Sequence, residues 1–157
     1  MVSTELLRRY PFFGFLGHTQ LRDVAMISEE IEIDEGKVLF NIGDKGDALY
    51  FLLAGSIELH YVVIDEHLPQ LRKDFMVGTI NPGDVLGLST MIVSGEMMAT
   101  AVATQPCKLL KIDNTELTEL CDDDPELAYG LMRELAKATL ERLNSTRILL
   151  AAATSPV

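Results

Sequence analysis

Basic residues are scarce in this chain. Its 157 residues include 13 lysines and arginines against 24 aspartates and glutamates, which gives a formal net charge of −11 at pH 7. Proteins that bind nucleic acid neutralise phosphates with a basic face. The shortage of positive charge therefore predicts no nucleic-acid partner.

Long apolar runs are also missing. None is long enough to cross a bilayer, and the N-terminus lacks the order of a signal peptide, in which basic residues precede an apolar run. We therefore expect no membrane partner and a cytoplasmic location.

Cysteine and histidine are too few and too scattered for several kinds of site. Two cysteines, Cys107 and Cys121, do not make a disulfide scaffold, and their spacing is not that of zinc or iron–sulfur ligands. His18, His60 and His67 form no metal-binding pair. The sequence also shows no Ser/His/Asp grouping. We expect no metal, no catalytic residue and no enzyme activity, and Cys107 should be a buried thiol.

The rest of the composition is typical of one globular domain spanning 1–157, with 48% hydrophobic and 24% charged residues. Residues 1–30 favour short helices, interrupted at PFFGFLG. Residues 31–113 alternate β-rich segments such as ALYFLLA with turn segments such as NPGD. This pattern predicts an α+β, mainly β fold with an antiparallel barrel or sandwich, in which Gly55 forms a tight hairpin.

Residues 114–153 favour helices again. Asp113 and Glu116 have the spacing of a capping box. Asp124 then caps a second helix, which has Pro125 at its first position, where proline is favoured. From there this long helix should continue for roughly 28 residues, or ~42 Å.

One face of the long helix carries a stripe with alternating three- and four-residue steps, which is typical of a coiled-coil seam. Its members are Met132, Leu135, Thr139, Leu143, Thr146 and Leu150. This face could pack on the barrel of the same chain. A helix of this length should extend past a small barrel, however, so we favour a homodimer formed through it.

Three glycine-containing segments occur in a fixed order along the chain, namely EGKVLF around Gly36, GDKGDALYFL from Gly43 and PGDVLG around Gly83, and the segment CKLL follows them from Cys107. In this order and spacing they resemble the cyclic-nucleotide-binding domain family. The resemblance covers about residues 10–150. It implies a double-stranded antiparallel β-helix, which is a jelly-roll-like β-roll, between N-terminal helices and a long C-terminal helix.

In that family the ligand site is a short cassette, F-G-E-[LI]-[AS]-L, followed by R-[STA]-A-[ST]-V about ten residues after the glycine. The glutamate holds the ribose, and the arginine pairs with the cyclic phosphate. Here Leu88 stands at the glutamate position and Met97 at the arginine position. On the long helix, the places that reach the base hold Arg142 and Leu143. By resemblance, the pocket of this chain consists of Gly87, Leu88, Ser89, Met97, Met98, Ala99 and Thr100.

Without these two charges, a cyclic phosphate would be desolvated with no counter-charge, so ordinary binding of cAMP or cGMP is disfavoured. A cyclic nucleotide nevertheless stays open as a ligand, and no other cofactor is expected. Either the methionines fill the pocket or it takes an apolar ligand. We favour the first alternative, which makes the chain a stand-alone regulatory or protein-interaction module with an unidentified protein partner and no DNA-binding domain. The second makes it a small-molecule sensor.

Overall fold

Two four-stranded antiparallel sheets face each other, with short helices at one end and a long helix along one side. The computed structural model describes residues 1–92 and 95–156. The helices are α1 (Thr4–Arg8), α2 (His18–Met26), α3 (Asn114–Asp123) and α4 (Pro125–Thr154), with two 3-10 turns at Pro11–Phe13 and Leu88–Met91. The strands are β1 (Ser28–Ile33), β2 (Val38–Phe40), β3 (Ala48–Ala54), β4 (Ile57–Ile64), β5 (Arg72–Ile80), β6 (Val85–Leu86), β7 (Thr100–Ala103) and β8 (Cys107–Asp113).

The strand order is β1-β8-β3-β6 in the first sheet and β2-β7-β4-β5 in the second. The predicted α+β, mainly β roll with flanking helices is therefore confirmed. The β region begins at Ser28 rather than at residue 31, because the last residues assigned to the helical segment pair with β8.

The predicted hairpin at Gly55 is wrong. Strands β3 and β4 lie in different sheets, so Gly55 carries the chain from one sheet to the other instead of closing a hairpin. Its φ is 99°, and a Cβ atom there would lie 2.5 Å from the carbonyl oxygen of Pro106. Both the left-handed backbone and the close approach require glycine at this crossing.

Strand β3 is almost wholly buried because it contributes side chains to two cores. Successive side chains of a strand point to opposite faces. Leu49 and Phe51 pack with the helices in the first core, which also contains Leu110. Tyr50 and Leu52 pack between the sheets in the second core. The continuous apolar run ALYFLLA therefore reflects burial on both faces.

Asp113 and Asp124 cap the two C-terminal helices, as the sequence predicts. The Asp113 carboxylate accepts a hydrogen bond from the amide of Glu116 at 2.9 Å. The Asp124 carboxylate accepts one from the amide of Leu127 at 3.1 Å and one from the Gln20 side chain at 2.9 Å. The hydrogen bonds from Gln20 and Leu127 hold the pKa of Asp124 below its ordinary value. The second cap thus also ties the long helix to α2.

Helix α4 is anchored through its first half. Its buried residues are Leu127, Gly130, Leu131 and Leu135, and beyond Leu135 the described side chains are half-buried or exposed. In the part of the chain that the structure describes, no helix combines the length and apolarity needed to cross a membrane. Beyond its buried half, α4 contacts β5, and its last turns are exposed.

Candidate functional site

A cavity of about 490 Å³ lies under α4, at the point where the chain leaves β6. Its floor is formed by apolar side chains from four strands, namely Phe40, Leu59, Val77 and Leu86. Small-molecule sites in proteins occupy about 300–1,000 Å³ and are mostly apolar. The cavity therefore has the size and the lining of a ligand pocket.

Gly87 turns the chain from β6 into the second 3-10 turn, which forms one wall of the cavity. Its φ is 78°, in the left-handed region that favours glycine. A Cβ atom there would lie 3.2 Å from the Ala48 carbonyl oxygen and 3.6 Å from the Met97 methyl carbon. The glycine thus allows the turn and also lets β3 and Met97 approach closely.

The structure brings six of the seven predicted cassette residues to the cavity. Gly87, Leu88, Ser89, Met97, Met98 and Ala99 line it. Thr100 is not among the described lining residues, because it is buried and its hydroxyl accepts a hydrogen bond from the Ile42 amide at 2.9 Å. Its role is to hold the turn before β3 against β7.

The two methionines have different environments. Met97 is 4% exposed and packs in the core between the sheets. Its backbone is held by the Asp44 carbonyl and the Gly43 amide, each at 2.8 Å. Met98 is 75% exposed, so most of its side chain lies outside. Met97 therefore forms part of the wall, and space remains between it and the helix.

Helix α4 forms the opposite wall. Thr139, Arg142, Leu143 and Thr146 line the cavity from successive turns of the helix. The Arg142 guanidinium donates a hydrogen bond to the carbonyl oxygen of Val85, in β6. Burial lowers its pKa from the ordinary value, and the negative charge of Asp84 partly offsets this effect. Among the lining residues that the structure describes, Arg142 is the only charged one.

The predicted dimer seam is not a single free face. Leu135 is fully buried in the core of its own chain, and Thr139, Leu143 and Thr146 line the cavity. Met132, at 37%, and Leu150, at 63%, are exposed. Of the six residues only Leu135 is buried, whereas Thr139, Leu143 and Thr146 line the cavity with exposed side chains. Self-association stays a prediction.

A separate polar cluster lies on the outer side of β4. The two ring nitrogens of His60 contact Asp74 at 2.6 Å and Glu58 at 2.9 Å. Desolvation acts to lower the pKa of His60, but the hydrogen bonds and charges of the two carboxylates outweigh it and raise the pKa. No group of three or more His, Cys, Asp or Glu side chains within residues 1–92 and 95–156 is arranged to hold a metal ion.

Sequence reasoning missed the cavity residues on the strands, Leu59 and Val77 above all. They meet because β4 pairs with β5 across a register shift between Leu59 and His60. A local apolar pattern does not reveal such a shift, so no signal in the sequence points to these two residues.

Comparison with known proteins agrees with this geometry. The model of the cyclic nucleotide-binding domain matches residues 30–124. The chain belongs to the cyclic nucleotide-binding domain family. The matched region contains all eight strands except the first residues of β1, together with the cassette and α3.

Individual members of the family show how widely the domain is used. A crystal structure from Geobacter metallireducens, assigned as a cyclic nucleotide-binding protein, is 35% identical with a TM-score of 0.78, over 91% of this chain and 99% of that one. A cAMP-dependent protein kinase regulatory subunit of Yarrowia lipolytica is 27% identical over 71% of this chain. The cyclic AMP receptor protein of Thermus thermophilus is 29% identical over 68% of this chain. The matches span only 27% and 47% of these two curated relatives.

Proposed function

We propose that this cyclic nucleotide-binding domain is a small-molecule sensor whose pocket takes an apolar ligand instead of an ordinary cyclic nucleotide. The observation that carries the proposal is the cavity of about 490 Å³, which remains open beside Met97 and has a mostly apolar lining. A module with a filled pocket would need the methionine side chains to occupy that space. Met97 lies in the wall, however, and Met98 is mostly exposed.

The cassette supports a change of ligand class. By the family resemblance, Leu88 and Met97 stand at the positions that hold the ribose and the phosphate, and both residues line the cavity. A charge-assisted hydrogen bond contributes about 1.5–3 kcal/mol, so the loss of both contacts weakens nucleotide binding by about two orders of magnitude or more. A phosphate pressed against Met97 also loses water without gaining a counter-charge. An apolar ligand has neither cost.

The long helix supplies a route from the pocket to a partner protein. It lines the cavity from Thr139 to Thr146 and continues to Thr154 with exposed apolar side chains. Leu140, Ile148 and Leu150 are each more than 60% exposed. Exposed apolar surface of this kind marks contact with another protein, so we infer that the helix mediates a homodimer or contacts an unidentified partner. A ligand under the helix would then alter that contact.

Calorimetric titration with octanol, cAMP and cGMP tests the proposed ligand class. We expect heat of binding with octanol and no submicromolar binding of either nucleotide. The matched control is Leu88→Glu/Met97→Arg, which restores the family charges and should exchange octanol binding for nucleotide binding. A submicromolar dissociation constant for cAMP or cGMP with the unmodified chain, or no octanol binding, would contradict the proposal.

A further inference from the structure

Arg142 is a desolvated cation whose hydrogen-bonding capacity is mostly unused. A guanidinium has five N–H donors. In the described structure, the Arg142 side chain makes a single hydrogen bond, to the carbonyl oxygen of Val85. No carboxylate of the described residues lies within 4.0 Å of its nitrogens. Partial burial of a cation without a paired anion is unfavourable, so Arg142 favours an incoming anion.

The acidic groups near Arg142 do not form an ion pair with its guanidinium. The Asp84 carboxylate is near enough to influence the guanidinium electrostatically, but it lies beyond ion-pair distance and accepts a hydrogen bond from the Asn81 amide at 2.9 Å. Asp84 and Glu141 line a smaller polar pocket on the other side of Arg142 and are not among the described residues that line the apolar cavity. Arg142 thus lies between the polar pocket, which has carboxylates, and the apolar cavity.

We propose that the ligand of this pocket is an apolar monocarboxylate, with its carboxylate on Arg142 and its tail against Leu59, Leu86 and Met97. The inference rests on the proposed function and names the chemistry of its ligand. The planar guanidinium matches a carboxylate in a two-bond geometry. A phosphate monoester would bring more negative charge than one arginine compensates, and the described lining residues supply no second cation.

The position of Arg142 also links binding to the helix. The guanidinium joins α4 to β6 through Val85, and it lies in the half of the helix in which no described side chain is fully buried. A carboxylate that accepts hydrogen bonds from the unused donors of Arg142 adds a second contact at this point of the helix. Binding therefore changes the contact between the far half of α4 and the β-roll.

The test compares octanoate, octanol and octylamine, which share a tail and differ in the head group, by calorimetry at neutral pH. We expect octanoate to bind at least ~10-fold more tightly than octanol, and octylamine to bind most weakly. Arg142→Met should remove the advantage of octanoate and leave octanol binding in place. Arg147→Met is the matched control, because Arg147 lies on the same helix, is exposed and is not among the described cavity residues. It should behave like the parent chain.

The experiment tests the carboxylate inference and the apolar pocket separately. Equal binding of octanoate and octanol, or a preference for octanoate that Arg142→Met leaves unchanged, overturns the carboxylate inference while the apolar pocket stands. Failure of all three amphiphiles to bind overturns the apolar pocket as well. The comparison within the parent chain decides the matter even if the Arg142 variant does not fold. Naphthoate, tested beside octanoate, distinguishes an aromatic from a linear tail.

Discussion

Replacing Gly130 by alanine should destabilise the protein, although alanine is the better helix former. In an exposed helix interior, the exchange stabilises by about 1 kcal/mol. Gly130 is buried, however, and a Cβ atom there would lie 2.2 Å from Cδ2 and 2.8 Å from Cε2 of the Phe15 ring. Carbon atoms pack at about 3.5–4.0 Å, so the ring must move by more than about 1 Å.

The size of the effect follows from these two opposing contributions. Phe15 packs against the core between the helices and the first sheet, and overpacking of such a site costs about 1–3 kcal/mol. Because the gain in helix propensity offsets part of this cost, the free energy of unfolding should fall by about 1 kcal/mol. In a chain of this length, that loss lowers Tm by about 2–4 °C.

Urea denaturation and thermal unfolding of the parent chain and the Gly130→Ala variant measure the effect. Phe15→Leu/Gly130→Ala, compared with Phe15→Leu alone, is the control. Without the Phe15 ring, Gly130→Ala should leave the free energy of unfolding unchanged or raise it. The double-mutant cycle then gives the coupling energy between positions 15 and 130. An increase in the free energy of unfolding on Gly130→Ala in the parent background would refute the close contact with Phe15.

Three further changes test other parts of the structure. Because the pKa of His60 is raised on folding, protonated His60 stabilises the folded state fully below about pH 6.5. This stabilisation is lost as the pH rises through the raised pKa, so the urea midpoint should fall as the pH increases. His60→Gln should remove this pH dependence. Leu140→Asp/Leu150→Asp changes two exposed helix residues and should yield a monomer by light scattering; a monomeric parent would show that the helix does not mediate self-association. Asp113→Ala removes the cap on the Glu116 amide and should cost about 1 kcal/mol in urea denaturation, whereas no change would mean that water replaces the cap.

The sequence predicts the architecture well because local signals and family spacing agree. Turn segments separate the strands, Asp113 and Asp124 mark both C-terminal helix starts, and α4 extends to Thr154, close to its expected end. Gly55 was misassigned because a glycine between two apolar segments looks the same whether the next strand joins the same sheet or the opposite one.

The cassette could be located from the sequence, but the state of the pocket could not. The spacing placed Gly87 and Met97 together, and both line the cavity. Whether a methionine fills a cavity or forms its wall depends on side-chain direction and on long-range packing. The same limit applies to Arg142, because its contact with Val85 spans residues 57 positions apart in the chain.

The methyl groups of the methionines allow a direct test of the claim that the cavity under α4 binds the ligand. The chain has seven methionines, of which Met97 is buried in the cavity wall. Met26, which is 65% exposed and is not among the described cavity residues, serves as an internal reference. In NMR spectra of methyl-labelled methionine, titration with octanoate should shift the Met97 resonance in a saturable way and leave Met26 unchanged. An unchanged Met97 resonance at saturation, or equal shifts at both methionines, would contradict the assignment of this cavity as the ligand site.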